Sequence, residues 1–200
     1  MKYSILTFGC RVNQADSMVI ERDLRARGGV AVPSAEADVI VVNSCSVTAT
    51  ADQGTRQAIR RAARENPSAR IVVTGCYATR SAYEVAALPG VVAVVPNTQK
   101  ETLVASHVPF RNNTPLPGTV PLVVPVYLLD RTALSIRVQT GCEEECSYCI
   151  IPSTRGKSTS RPIDDHRSTA AYRRHALGVM ARRTLTWAWT EYCGGSAKCA

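Results

Sequence analysis

The sequence predicts an α/β protein built on a parallel sheet, and three observations carry that prediction. Short β-branched or apolar runs alternate with amphipathic runs through the first hundred residues. Gly28-Gly29 and Asn66-Pro67 close the amphipathic runs, as helix stops do. The runs at 39–42 and 71–73 are continuously apolar, the pattern of strands covered on both faces.

The elements follow in order. Residues 3–8 (YSILTF) form a first strand, and Asp16 to Arg27 a first helix with Met18, Val19 and Leu24 turned inward. Val39 to Val42 is the second strand. Thr48 to Glu65 is the second helix, opened by capping-type residues. Ile71 to Val73, Ser81 to Leu88 and Val91 to Val95 complete the alternation as strand, helix and strand. Five of the eleven prolines then fall between Pro109 and Pro125, which marks a linker or extended crossing segment. Arg131 to Val138 alternates as a strand and runs into a cluster of cysteines. Past Pro162 the apolar residues keep no period, and six Lys/Arg, both tryptophans and two of three histidines crowd the stretch.

Composition narrows the class. The chain has 200 residues, 45% hydrophobic and 20% charged, with mean hydropathy −0.06, as in ordinary globular proteins. No run of 18 apolar residues is present, and MKYSILTFGC lacks a cleavable leader pattern, so a cytoplasmic, non-membrane protein is expected. In that compartment eight cysteines read as metal-binding or catalytic thiols rather than disulfides.

Cys142, Cys146 and Cys149 stand in GCEEECSYC, a C-x3-C-x2-C spacing. Three such thiolates hold one cubane iron–sulfur cluster and leave its fourth iron open for chemistry. The alternative is a zinc site completed from elsewhere, for example by His107, but zinc ribbons favour paired C-x2-C elements and no second pair exists. Cys10, Cys45 and Cys76 lie 35 and 31 residues apart, in FGC, NSC and TGC. Each follows an expected strand and precedes an expected helix. A parallel sheet brings such turns to one edge, where ligands bind, and Gly9, Ser44 and Gly75 let backbone approach closely. Cysteines packed plainly at strand ends are the alternative reading.

C-x3-C-x2-C with Tyr148 before its last cysteine resembles the radical S-adenosylmethionine (SAM) signature. That resemblance implies a [4Fe–4S] cluster on Cys142, Cys146 and Cys149 that binds and reductively cleaves SAM, with Tyr148 near the adenine. GCRVNQADS, NSCSVT with TRQAIRR, VVTGCYA and GCEEECSYCIIPSTRG together resemble the methylthiotransferases, over residues 1 to about 165. The family implies a second, auxiliary [4Fe–4S] cluster on Cys10, Cys45 and Cys76, with Asn13 and Asn43 orienting the loops. It also implies tRNA as substrate and a donor such as flavodoxin or ferredoxin. The string at Cys10 to Gln14 is similar to the branch that methylthiolates threonylcarbamoyl-modified adenosine next to the anticodon. A ribosomal-protein aspartate methylthiotransferase and a non-catalytic iron–sulfur protein are the competing functions.

The expected domains are 1–105, the N-terminal α/β domain; 106–130, a Pro-rich linker; 131–165, the start of a radical SAM partial barrel; and 166–200, a non-homologous, poorly ordered tail. Only 51 residues follow Cys149, too few for a whole barrel. A shifted or truncated frame from about His166, and low activity of the chain alone, are therefore expected. On that view Cys193 and Cys199 have no role, a zinc site with His166 and His175 being the alternative.

The net charge of +8 suits a nucleic-acid partner. Arg56, Arg60 and Arg64 make a stripe at helical spacing with Arg61 beside it, readable as a phosphate contact or a solvated face. Arg155, Lys157 and Arg161 follow the cysteine cluster and are expected to meet substrate.

Overall fold

The computed structural model describes residues 1–109 and 137–162. Its core is a five-stranded, wholly parallel sheet in the order β2-β1-β3-β4-β5. The strands are β1 (Lys2–Thr7), β2 (Val30–Ala31), β3 (Val39–Ser44), β4 (Arg70–Gly75) and β5 (Val91–Val95). Helix α1 (Arg11–Ala26) connects β1 to β2, and α2 (Ala49–Glu65) connects β3 to β4. Two short helices, α3 (Cys76–Arg80) and α4 (Ala82–Ala86), lead into β5. A 3-10 turn at Asn97–Thr102 and α5 (Leu103–His107) follow.

Alternation along the central strands explains why they read as unbroken apolar runs. Ile40, Val42, Ile71 and Val73 point to one face, where Ile59 and Ala62 of α2, Tyr77 of α3 and Val85 of α4 cover them. Val39, Val41 and Val72 point to the other, against Ile20 and Leu24 of α1 and Leu103 and Val104 of α5. With helices on both faces, neither row of valines meets water.

Local signals set the ends of the elements. Thr48 caps α2 by accepting the Ala51 amide at 3.2 Å. Asn66 stops it and donates to the carbonyls of Ser34 and Ala37. The helix expected over Ser81 to Leu88 is α4, shortened to Ala82–Ala86. The unexpected α3 precedes it and is separated from it at Ser81, whose φ of −127° and ψ of 50° lie outside the helical region.

Two expectations about α1 are corrected. It begins at Arg11 rather than Asp16, and Met18 and Val19 are half-buried while Asn13, Asp16, Ser17, Ile20 and Leu24 face inward. Its inward stripe is polar for the first two turns because that end lies over the carboxyl edge of the sheet.

Residues 137–160 belong to the same compact unit as residues 1–109, whereas Arg161 and Pro162 fall in a second unit. Strand β6 (Gln139–Thr140) pairs antiparallel with β7 (Thr159–Ser160), and α6 (Ile151–Arg155) lies between them. The prolines from Pro115 to Pro125, residues 131–136 of the expected strand and the tail from 163 lie outside the described residues; Arg137 and Val138 precede β6 without regular structure. No helix among the described residues is long and apolar enough to cross a membrane.

Candidate metal centre

The strand order places its switch point between β1 and β3, whose following connections leave on opposite faces. Cys10 and Cys45 follow those two strands, and Cys76 follows the neighbouring β4. Cys10 is the N-cap of α1, Cys45 comes directly after Ser44, and Cys76 opens α3. Three thiols distant in sequence are thus delivered to one sheet edge, with Cys45 and Cys76 buried and Cys10 exposed.

A polar row supports them. Thr7, Asn43 and Thr74 stand side by side across three strands. Asn13 donates to the Ser44 carbonyl at 2.7 Å and the Phe8 carbonyl at 3.0 Å, tying together the turns that carry Cys45 and Cys10. Asn43 donates back to the Asn13 carbonyl at 2.8 Å and to Ser17 Oγ at 2.9 Å. Ser44 Oγ donates to the Thr74 carbonyl and accepts the Ala78 amide, fixing the entry to α3.

Glycines let the turns close. Gly75 has φ +102°, and a Cβ there would lie 2.1 Å from the Ser44 carbonyl oxygen. A Cβ on Gly9 would lie 2.2 Å from Cys45 Sγ, so that glycine leaves the space in which the second thiol sits beside the first turn.

Beneath the thiols lies a buried charge cluster that the sequence reading does not anticipate. Asp16 meets Lys100 Nζ at 2.9 Å, an Arg137 guanidinium nitrogen at 2.8 Å and an Arg155 nitrogen at 3.2 Å. Burial alone would raise the Asp16 carboxyl; its three cationic neighbours outweigh that and hold it below the usual carboxylate range. Lys100 is pushed down chiefly by burial, against the pull of Asp16. Arg155, expected to face substrate, is instead buried, donating to Asn13 Oδ1 at 2.6 Å and to Thr140 Oγ1 at 3.4 Å. Burial lowers its pKa, but Asp16, Cys76 and Cys10 together raise it, so the guanidinium stays charged. Asn97 completes the wall, donating to Cys76 Sγ at 3.6 Å and to the Thr154 carbonyl at 2.8 Å.

One signal for this cluster is visible in retrospect. Asn13, Asp16 and Ser17 occupy helical positions i, i+3 and i+4, where a sheet-covering helix should be apolar.

Cys142, Cys146 and Cys149 lie in the loop between β6 and α6, half-buried, exposed and half-buried respectively. The Cys142 amide donates to the Gly156 carbonyl and the Cys149 amide to the Cys146 carbonyl. Tyr148 is 90% exposed, with its ring open to solvent. Of the arginine stripe of α2, Arg56 bonds Tyr77 Oη at 2.8 Å and Glu84 at 3.1 Å while Arg60 and Arg64 are exposed, and Arg61 beside them pairs with Glu65.

The donor set decides what this edge fits. Among the described residues no three Cys, His, Asp or Glu side chains converge on a single metal ion. Thiols on a cubane each hold a different iron and stand further apart than ligands of one ion. Thiols at the ends of three neighbouring strands, with a buried arginine nearby and an amide N–H directed at one sulfur, suit an anionic cluster. The residues present therefore fit a polynuclear, thiolate-ligated group.

The uncharacterized protein family UPF0004 matches residues 2–96, the span of the sheet. Threonylcarbamoyladenosine tRNA methylthiotransferase MtaB of Bacillus subtilis (strain 168) is 38% identical over 170 residues, which cover 80% of this chain and 38% of the relative. Ribosomal protein uS12 methylthiotransferase RimO of Stenotrophomonas maltophilia (strain K279a) is 35% identical, covering 82% and 36%. The tRNA-2-methylthio-N(6)-dimethylallyladenosine synthase of Herpetosiphon aurantiacus is 32% identical, covering 82% and 38%. The chain thus spans about two fifths of the length of the curated relatives it matches. The parallel sheet is thus the UPF0004 domain, and over four fifths of its length the chain is similar to methylthiotransferases.

Proposed function

We propose that this chain serves a tRNA methylthiotransferase that adds a methylthio group to a threonylcarbamoyl-modified adenosine next to the anticodon. The observation that carries the reading is the gathering of Cys10, Cys45 and Cys76 on one sheet edge over buried cations, with a C-x3-C-x2-C loop in the same unit. Identity to the MtaB proteins of Bacillus subtilis and Aquifex aeolicus supports the choice of branch.

In this reading Cys10, Cys45 and Cys76 hold an auxiliary [4Fe–4S] cluster, and Cys142, Cys146 and Cys149 hold a second one that binds SAM. Together the two groups and SAM supply radical generation and sulfur for insertion at a carbon–hydrogen bond. The chain's own residues do the positioning. Asn13 and Asn43 lock the strand-end turns, Asn97 directs an N–H at the Cys76 sulfur, and exposed Tyr148 is available to stack on the adenine of SAM. The natural setting is the cytoplasm, with a flavodoxin or ferredoxin as electron donor.

Anaerobic reconstitution tests the ligand assignments: about eight irons per chain are expected, falling by about half in Cys45→Ala or in Cys146→Ala. Fewer than about four irons in the wild type defeats the two-cluster reading. Nucleoside mass spectrometry of tRNA from a strain lacking the gene then tests the substrate. Loss of the methylthio group from threonylcarbamoyl-adenosine supports it. Intact tRNA with an unmodified ribosomal-protein aspartate assigns the chain to the RimO branch instead, which the 35% identity keeps in view. No 5′-deoxyadenosine on adding SAM and dithionite indicates a non-catalytic iron–sulfur protein.

A further inference from the structure

Arg155 lies six residues after Cys149, yet its side chain is buried in the N-terminal site. It donates to Asn13 Oδ1 at 2.6 Å and pairs with Asp16 at 3.2 Å, while Asn97, bonded to the carbonyl of the preceding Thr154, reaches Cys76 Sγ at 3.6 Å. Asp16 cannot balance it alone, because Lys100 and Arg137 contact the same carboxylate. Glu101 at the rim takes the other side of Arg137 at 3.1 Å. Among the described residues, three cations thus face two carboxylates, one of them largely in water.

A guanidinium does not shed its proton, and an uncompensated buried charge is strongly destabilising. Among the described residues, the groups nearby that can supply further negative charge are the sulfurs, one of which Asn97 joins to the turn before Arg155. A cubane on three thiolates is a net anion, and hydrogen bonds and nearby charge govern its reduction potential.

We propose that Arg155 is a positioning residue for the group held by Cys10, Cys45 and Cys76: its buried charge offsets the thiolate-ligated anion, raises its reduction potential and slows its loss. The same contact makes the C-x3-C-x2-C segment responsible for the electrostatics of the other triad. Asn97, which bonds both Cys76 Sγ and the Thr154 carbonyl, holds α6 in the register this requires. The inference rests on the cluster assignment proposed above.

The test uses the full chain with Cys142, Cys146 and Cys149 replaced by alanine, so that only the N-terminal group is read. Arg155→Gln removes the charge, Arg155→Lys keeps it without the planar fork, and Arg61→Gln removes an equal charge from an exposed ion pair. Each variant is reconstituted anaerobically, checked for cooperative thermal unfolding, and titrated electrochemically by electron paramagnetic resonance. Iron transfer to a ferrous chelator is timed in parallel.

Arg155→Gln is expected to move the midpoint potential to more negative values and to speed iron loss by about 10- to 100-fold. Arg155→Lys should stay near the parent potential and Arg61→Gln should change neither. An unchanged potential and iron loss in Arg155→Gln overturns the proposal, as does an equal shift in Arg155→Lys. Should Arg155→Gln fail to fold, the Arg155→Lys potential decides alone: near the parent supports, displaced overturns. No iron uptake by the parent, or none lost on adding Cys76→Ala, strikes at the cluster assignment instead.

Discussion

The two cysteine triads reach a similar end by opposite routes. Cys142, Cys146 and Cys149 span eight residues of one loop and are close in sequence from the start. Cys10, Cys45 and Cys76 span 67 residues, and only a folded sheet makes them neighbours. One device is common to both: in each, a glycine with positive φ directly precedes a cysteine, as in Gly75-Cys76 and Gly141-Cys142. The environments differ. The N-terminal thiols sit over buried charge and hydrogen-bonded asparagines, while Cys146 and Tyr148 face solvent. A site made by the fold can be pre-tuned by the fold. A site made by local spacing stays open to a ligand that arrives later.

That contrast can be broken at several points. The largest effect should come from Asp16→Asn, which strips the shared carboxylate from three cations and should cost about 3–5 kcal/mol in urea unfolding. Its pH dependence has a definite sign. Because the Asp16 carboxyl is held below its ordinary value of 3.8, its stabilisation is present at neutral pH and drains away as pH falls below about 4. The Asn variant should lack that acid-side loss.

Gly75→Ala comes next, at about 2–4 kcal/mol, since a Cβ at φ +102° collides with the Ser44 carbonyl. It should empty the N-terminal triad of iron and leave the iron of the loop triad in place. Equal loss from both triads would show that they are not independent in origin.

Tyr3 of β1, buried in the core against α1, supplies an alkaline counterpart. Burial, with Glu21 adding and Arg25 opposing, raises its phenol from 10.0 to about 12. The folded state holds that proton longer, so stability should fall by about 2–3 kcal/mol between roughly pH 10 and 12. Tyr3→Phe should flatten this alkaline limb in chemical unfolding at graded pH. Finally, Cys146→Ala should change unfolding free energy by less than about 0.5 kcal/mol, because that thiol is exposed. A larger change would mean that the loop triad contributes to the fold as well as to binding.

The same contrast governs what could be read from sequence. Val39–Val42 and Ile71–Val73 announce themselves because a strand covered on both faces has no polar residue to hide, and all four long strands were legible within a residue or two. The places of the six cysteines in the fold were legible as well, three in one loop and three in a shared strand-turn-helix context. The charge cluster was not. Arg155 and Asp16 are 139 positions apart, and a pair at that separation leaves no periodic trace. Asp16 itself looked like the polar start of a helix, and Arg155 like a loop cation, because the partner that buries each lies on another element. Strand β2 was missed because two residues are too few to show alternation, and its side chains are exposed.

The sheet edge also gives synthesis an order. All three βα turns lie within the first 76 residues, and β5 with Lys100 follows by residue 100. Domains generally fold as units from the N-terminus as the chain is made. The strand-end turns can therefore form on the growing chain before Cys142 exists, and Arg155 arrives later, closing onto Asn13 and Asp16 that are already in place.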